Sequence, residues 1–123
     1  MKILGDMFLP EGWRETEKWP ECLLVTNPAH PVYQAHFPSY PVTPGVCLLQ
    51  LAGELLSQRL RRPLYLEEVR NAKFLALLVP ETGQQVCCRF LSVEPTETQC
   101  RCQLLICDNE KTFAKFSLTY RYE

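Results

Sequence analysis

Two hydrophobic patterns follow one another along the chain, and each predicts a different kind of element. From Val46 to Leu60 the sequence VCLLQLAGELLSQRL is rich in strong helix formers and long enough for four turns, which predicts one helix. Thr43 suits its N-cap and Pro44 its first helical position, and Pro63 follows its end. The helix is apolar almost all round, so we expect it to be buried.

The second half of the chain is dominated by the period-two alternation that is typical of half-buried strands. TFAKFSLTYRY (112–122) alternates strictly, and QCRCQLLIC (99–107) and QQVCCRFLSV (84–93) are similar. LYLEEVRNAKFLALLV (64–79) is a longer extended stretch. The segments between them, PETGQQ, EPTET and CDNEKT, carry turn-forming residues, so we expect an antiparallel meander.

The N-terminal part predicts two further strands. KILGDMF (2–8) and CLLVTN (22–27) are apolar runs, and GWRETEKWPE (12–21) reads as a polar bend between them. The elements together predict an α+β fold, a curved antiparallel sheet wrapped around one long central helix, in a single domain over residues 1–123. Because the edges of such a sheet are commonly covered by a second subunit, we expect a homodimer or a higher oligomer of dimers.

Charge and hydropathy exclude several classes of function. The formal net charge is −1 and the isoelectric point is near 6.1, which gives no electrostatic case for binding nucleic acid. No apolar segment reaches the roughly 18 residues of a membrane span. Asp6 and Pro10 interrupt the N-terminal segment before a signal sequence of adequate length can form, so we expect a cytoplasmic protein.

The seven cysteines do not form a C-x-x-C zinc pattern. The simplest interpretation is a set of reduced, buried thiols, because free cysteine is among the most buried residue types. A metal site built from Cys87, Cys88, Cys100 and Cys102 on neighbouring strands is the alternative.

The loop HFPSYPVTPGV (36–46) is the segment that indicates chemistry. Its three prolines restrict the backbone and would hold the His36 side chain in place. The amides of Gly45 and Val46, at the start of the helix, would be free to act as an oxyanion hole. An imidazole beside such a hole suits proton abstraction α to a thioester carbonyl. The alternative is a structural turn with a packed or solvated histidine.

The sequence NPAHPVYQAHFPSYPVTPGVCLLQLAGELL (27–56) resembles the signature of the hot-dog-fold 3-hydroxyacyl-[acyl carrier protein] dehydratases, and NAKFLALLVPETGQQV (71–86) is similar to a downstream strand of that family. The resemblance implies that His36 is the catalytic histidine and that the Gly45 amide polarises the thioester carbonyl. Gln50 stands where the family has Glu or Asp.

That family's histidine takes the proton at C2, and its helix carboxyl group helps the 3-hydroxyl leave as water. The Gln50 amide accepts and donates hydrogen bonds but cannot donate a proton at neutral pH. Glu54, one turn further on the same helical face, is therefore a second candidate acid, or else a structural carboxylate. Phe37, Pro44 and Val46 are expected at the substrate.

The expected function is therefore that of a dehydratase-like lyase acting on 3-hydroxyacyl thioesters in fatty acid or related lipid biosynthesis. A noncatalytic acyl-binding or heterodimer partner subunit is one alternative, and an acyl thioesterase is another. The acyl group would be carried by acyl carrier protein or coenzyme A. Because acyl carrier protein is acidic, Arg59, Arg61 and Arg62 are candidates for docking it, although a solvated helix end explains them equally well. Nothing in the sequence indicates a metal or an organic cofactor, and the expected chemistry needs neither.

Overall fold

The computed structural model describes residues 3–35, 39 and 41–123, and it places six strands in one antiparallel sheet. The strand order is β1-β2-β4-β5-β6-β3, so β1 and β3 form the two edges. One main helix, α2, packs on the sheet, and a short helix, α1, precedes it. The elements are β1 (Phe8–Glu15), β2 (Pro20–Thr26), α1 (Pro31–Ala35), α2 (Gly45–Leu60), β3 (Leu64–Phe74), β4 (Gln85–Pro95), β5 (Gln99–Cys107) and β6 (Thr112–Tyr122).

Helix α2 lies where the sequence predicts it, but its N-terminus is built differently. Pro44, not Thr43, is the N-cap residue, because the Pro44 carbonyl accepts the first helical hydrogen bond, from the Cys47 amide at 3.0 Å. No side chain caps the helix, which ends at Arg61 in a left-handed conformation (φ 57°). Its 16 residues span about 24 Å, so the helix is of ordinary length rather than long.

One face of α2 is buried against the sheet and the other is not. The buried face consists of apolar side chains and one thiol: Cys47, Leu48, Leu51, Ala52, Leu55 and Leu56. On the opposite side Val46 is 68 % exposed and Gln50 and Glu54 are half-buried. The expectation of burial all round is therefore correct for one face only. Among the described residues no helix is long and apolar enough to cross a membrane.

The sheet agrees with the predicted meander for β4, β5 and β6, but not for β3. β3 pairs with β6, from Leu64 opposite Tyr122 to Phe74 opposite Ala114. A simple meander would pair β3 with β4, but β2 occupies that edge of β4. The chain between β3 and β4 therefore crosses the sheet, and its Leu78 is buried in the core. β3 and β4 follow one another in sequence but are thus separated in the sheet by β5 and β6.

The predicted strand at residues 2–8 is wrong, and so is the predicted bend that follows it. Residues 3–7 form a turn, in which the Met7 amide donates to the Ile3 carbonyl at 2.9 Å. The first strand is instead Phe8–Glu15, which includes Pro10 and a register shift before Gly12 (φ 142°). An edge strand tolerates both, because it is hydrogen-bonded to a partner on one side only and a bulge accommodates the glycine.

A buried carboxylate fastens strands β1, β2 and β4 on the outer face of the sheet. Glu21 is 2 % exposed and accepts hydrogen bonds from the Nε atoms of Arg14 (2.7 Å) and Arg89 (2.6 Å) and from the Cys87 thiol (3.1 Å). Burial alone would raise the pKa of Glu21, but the bonds from Cys87, Arg89 and Arg14 outweigh it and lower the pKa to about 2. The carboxylate is therefore charged at neutral pH.

All seven cysteines are free and buried, as the sequence predicts. Cys87 faces Glu21 on the outer face of β4, whereas Cys88 points into the core. Cys100 and Cys102 also belong to the core. Side chains on opposite faces of a strand cannot converge on one ion, so these four cysteines do not form the metal site considered as an alternative.

Candidate active site

The uncovered side of α2 forms one wall of a groove of about 930 Å³, and the start of β3 forms the opposite wall. Its lining is mainly apolar, with a few polar groups along the helix. Such a combination is typical of small-molecule sites. The lining residues are Leu4, Val46, Leu49, Gln50, Gly53, Glu54, Ser57, Gln58, Pro63, Leu64, Tyr65, Leu66 and Tyr120.

The Glu54 carboxylate binds the N-terminal segment to the helix. Oε1 accepts hydrogen bonds from the amides of Ile3 (3.1 Å) and Leu4 (2.9 Å). The Ile3 amide also donates to Oε2 at 3.0 Å, so it is shared between the two oxygens. These amides hold Ile3 in the core and Leu4 at the rim of the groove. The carboxylate therefore has a structural function in the fold, the second of the two interpretations that the sequence leaves open for it.

Gln50 is oriented by the same carboxylate. Its Nε2 donates to Glu54 Oε2 at 3.0 Å, one helical turn away. Its Oε1 has no hydrogen-bond partner among the described residues. Because Glu54 engages one of the two N–H donors, Gln50 offers the groove its Oε1 as a hydrogen-bond acceptor together with the remaining N–H.

The N-terminus of α2 lies at one end of the groove. The amides of Gly45 and Val46 have no acceptor within the part of the chain that the structure describes, and Val46 lines the groove. A Cβ atom at position 45 would lie 2.7 Å from Cζ of Phe74, whose ring packs edge-on against Phe116. A larger residue at position 45 would therefore displace the Phe74 ring, which is 55 % exposed.

His36 and Phe37, predicted as catalytic and substrate-binding, lie outside the described residues. The described residues on either side of them are joined by a buried hydrogen bond, 2.9 Å long, between the hydroxyls of Tyr33 and Thr43. The Thr43 amide also donates to the Leu78 carbonyl at 2.8 Å. Thr43, predicted as the helix cap, therefore joins α1 to the chain that enters α2.

The Tyr120 hydroxyl is a feature of the groove that sequence reasoning missed. The alternation of β6 places Tyr120 on the buried face, but only the tertiary structure brings its hydroxyl against the helix at Gly53. A possible signal was Gly53 itself, because a glycine inside a leucine-rich helix costs about 1 kcal/mol relative to alanine and suggests a close approach.

The three arginines at the end of α2 are placed differently from one another. Arg59 forms an ion pair with Glu15 at 2.6 Å and lies over the ring of Trp13. Arg62 lies 3.5 Å over the ring of Tyr122, and Arg61 is the exposed C-cap residue. Among the described residues Arg61 and Arg62 have no carboxylate partner, so they are the freer of the three to meet an acidic surface.

Comparison with known proteins shows the family of the chain. A sequence model of the ApeI dehydratase family matches residues 13–117. The solved dehydratase heterocomplex ApeI:P from Xenorhabdus doucetiae is similar in structure, with a TM-score of 0.72 and 14 % identity over 93 % of this chain and 97 % of that one. No curated protein matches the sequence.

Two thioesterase structures are also similar. A mutant thioesterase from Pseudomonas aeruginosa has a TM-score of 0.65 and 18 % identity, over 95 % of this chain and 83 % of that chain. A hypothetical thioesterase with coenzyme A from Streptococcus pneumoniae has a TM-score of 0.66 and 12 % identity, over 94 % and 85 %. At these identities the likeness concerns the fold alone, and it confirms the hot-dog fold.

Replacing Glu54 by glutamine is expected to release the N-terminal segment. The substitution removes the charge of the acceptor and places an amide N–H of the new glutamine against the backbone amides of Ile3 and Leu4. We therefore expect the free energy of unfolding to fall by about 1–3 kcal/mol. Hydrogen exchange at the amides of Ile3 and Leu4 should accelerate in parallel. Glu17→Gln, the same change at an exposed turn carboxylate, is the control and should stay within about 0.5 kcal/mol of wild type. Unchanged exchange at both amides in Glu54→Gln would contradict the anchoring role.

Proposed function

Because the chain belongs to the ApeI dehydratase family, we propose that it is a hot-dog-fold dehydratase that removes water from 3-hydroxyacyl thioesters. The observation that carries the proposal is the groove along α2, which begins beside the free amides of Gly45 and Val46 and passes Gln50. An extended acyl chain fits an elongated, mainly apolar groove. Its thioester would lie at the helix N-terminus, where developing negative charge is stabilised.

His36 is assigned to proton transfer in this proposal. Its imidazole takes the proton from C2, and the negative charge that develops on the thioester oxygen is held by the amides of Gly45 and Val46. The C3–O bond then breaks as the double bond forms between C2 and C3. The imidazolium returns its proton to the departing hydroxyl, so one water leaves and the histidine is regenerated.

Gln50 holds the 3-hydroxyl in this scheme but does not protonate it. Loss of a positioned acid typically costs about 10²- to 10⁴-fold in rate, and Glu54 is engaged with backbone amides. We therefore expect dehydration to be slow. The same two features support a second candidate, a noncatalytic subunit that binds acyl groups beside another hot-dog protein. The similar Xenorhabdus structure is that of a dehydratase heterocomplex, and this supports the second candidate.

The carrier is proposed to be acyl carrier protein, with coenzyme A as the alternative. Arg61 and Arg62 leave their positive charges at the exposed end of α2, where an acidic carrier domain would be attracted. Pro63 and Leu64, directly after them, line the groove.

Turnover of a 3-hydroxyoctanoyl group on acyl carrier protein and on coenzyme A, followed by mass spectrometry, tests the proposed function. Wild type should release one water from the substrate, and His36→Ala should be slower by about 10²-fold or more. His30→Ala is the matched control, because the His30 ring accepts the Val32 amide in a turn and should leave turnover unchanged.

Three results would contradict dehydration by His36. Release of a free thiol without loss of water would identify a thioesterase. Binding of the substrate without turnover would identify the noncatalytic subunit. Equal turnover by His36→Ala and wild type would remove the histidine from the mechanism.

We also propose that two copies pair through the edge strand β3. This strand is exposed on both faces, and Tyr65, Leu66 and Val69 are each 43–44 % exposed. An exposed edge strand of 11 residues that carries apolar side chains is a ready site for pairing with another chain. A second copy, turned by a twofold axis, would extend the sheet and cover the open side of the groove near Leu66.

Val69→Glu tests the pairing, because position 69 is the centre of β3 and a twofold axis would bring two carboxylates together there. The dimer dissociation constant, measured by analytical ultracentrifugation, should rise by about tenfold or more. Leu9→Glu, at a 43 % exposed position on the opposite edge strand, is the control and should leave the dimer intact. A wild-type monomer, or equal effects of the two variants, would contradict pairing through β3.

A further inference from the structure

Tyr120 has a buried hydroxyl without a partner. The residue is 2 % exposed, and its Oη has no hydrogen-bond partner in the described part of the chain, a property shared only with the Thr119 hydroxyl. Buried polar groups are nearly always hydrogen-bonded, and an unpaired one destabilises the fold. A phenylalanine would fill the same space without this cost, so the hydroxyl requires another explanation.

The position of this hydroxyl relates it to the groove. Tyr120 lines the groove together with Gln50 and Gly53. A Cβ atom on Gly53 would lie 3.3 Å from both Cε1 and Oη of Tyr120, so the phenol lies directly against the helix backbone at that residue. Gly53 follows Gln50 by three residues, about 4.5 Å along the helix axis and on an adjacent row of the same face.

The two polar groups are complementary. Glu54 engages one N–H of the Gln50 amide group, which orients Oε1 as an unpaired acceptor at the groove. Burial, together with the neighbouring Cys102, Cys88 and Cys100, raises the pKa of Tyr120, so its phenol stays protonated and can donate. The groove thus presents one unpaired acceptor, and one unpaired buried donor lies just beneath its wall at Gly53, three residues further along the helix.

We propose that Gln50 Oε1 and Tyr120 Oη together bind a hydroxyl group of the acyl chain. The ligand hydroxyl donates its proton to Gln50 and accepts a hydrogen bond from Tyr120. This inference rests on the proposed function, and it adds Tyr120 as a residue that selects the oxidation state of the acyl chain. A 3-oxo group has no proton for Gln50, and a saturated chain leaves both groups unpaired, so the groove discriminates against both.

Binding of three pantetheine analogues tests the pair. The analogues carry a thioether in place of the thioester, so that none can react, and they bear a 3-hydroxyoctyl, a 3-oxooctyl or an octyl chain. Isothermal titration of wild type should give about tenfold tighter binding of the 3-hydroxy analogue than of the other two. Tyr120→Phe should bind the octyl analogue at least as well as wild type does and lose most of the preference for the hydroxyl.

The melting temperature without ligand provides a second readout that a merely structural tyrosine would not give. Tyr120→Phe removes an unpaired buried hydroxyl and should melt at the same temperature as wild type or a few degrees higher. Tyr33→Phe is the matched control: Tyr33 is also fully buried, but its hydroxyl is paired with Thr43, so that variant should melt lower.

The contrary outcomes are distinct. If wild type binds all three analogues equally, or if Tyr120→Phe melts lower and keeps the preference, the hydroxyl pair is wrong while the acyl-binding function stands. If wild type binds none of the analogues, the proposed function is overturned, and the hydroxyl pair with it.

Discussion

The carboxylate of Glu54 is the interaction on which the candidate site depends. It accepts the amides of Ile3 and Leu4, which places the N-terminal segment against the helix, and it accepts Nε2 of Gln50, which fixes the polarity of that side chain. A carboxylate that is bound to several backbone donors is held firmly and is unsuited to passing protons. The proposed mechanism therefore gives Glu54 no proton transfer, and the helix presents an amide oxygen where related dehydratases are expected to carry an acid.

The groove combines an apolar wall with polar groups whose hydrogen bonds are incomplete. The amides of Gly45 and Val46, the oxygen of Gln50 and the hydroxyl of Tyr120 lack partners among the described residues, and all lie along one side of α2 or face it. Of these residues only Tyr120 is buried, so its hydroxyl is the group whose missing partner lowers the stability of the unliganded fold. Val46 is exposed and Gly45 and Gln50 are half-buried, so a ligand would take the place of water at their polar groups. The exposed edge strand β3 beside the groove is where a second copy is proposed to pair.

Periodicity in the sequence was enough to predict α2, β5 and β6, because in these segments burial follows a regular repeat. It failed for β1, where Pro10, Gly12 and several charged residues conceal an edge strand that needs only one hydrogen-bonded partner. The position of β3 beside β6 was also beyond sequence reasoning, since a short connection does not disclose a crossing of the sheet. Within the site, the helix spacing predicted that Gln50 and Glu54 lie on the same face of α2, but not the hydrogen bond between them. The bonds from Ile3 and Leu4 and the approach of Tyr120 join residues at least 50 positions apart in sequence, and no local pattern indicates them.

The central claim is that the site is a dehydratase groove limited by the amide at position 50. The dehydration rate of Gln50→Glu tests this claim most directly. The new carboxyl group would lie beside Glu54, and two neighbouring carboxylates raise the pKa of one of them, so a proton becomes available to the departing hydroxyl. The account predicts an increase in rate of about 10²-fold or more over wild type, with no increase in Gln58→Glu at a position further along the same groove. An unchanged or lower rate in a folded Gln50→Glu variant would contradict the account.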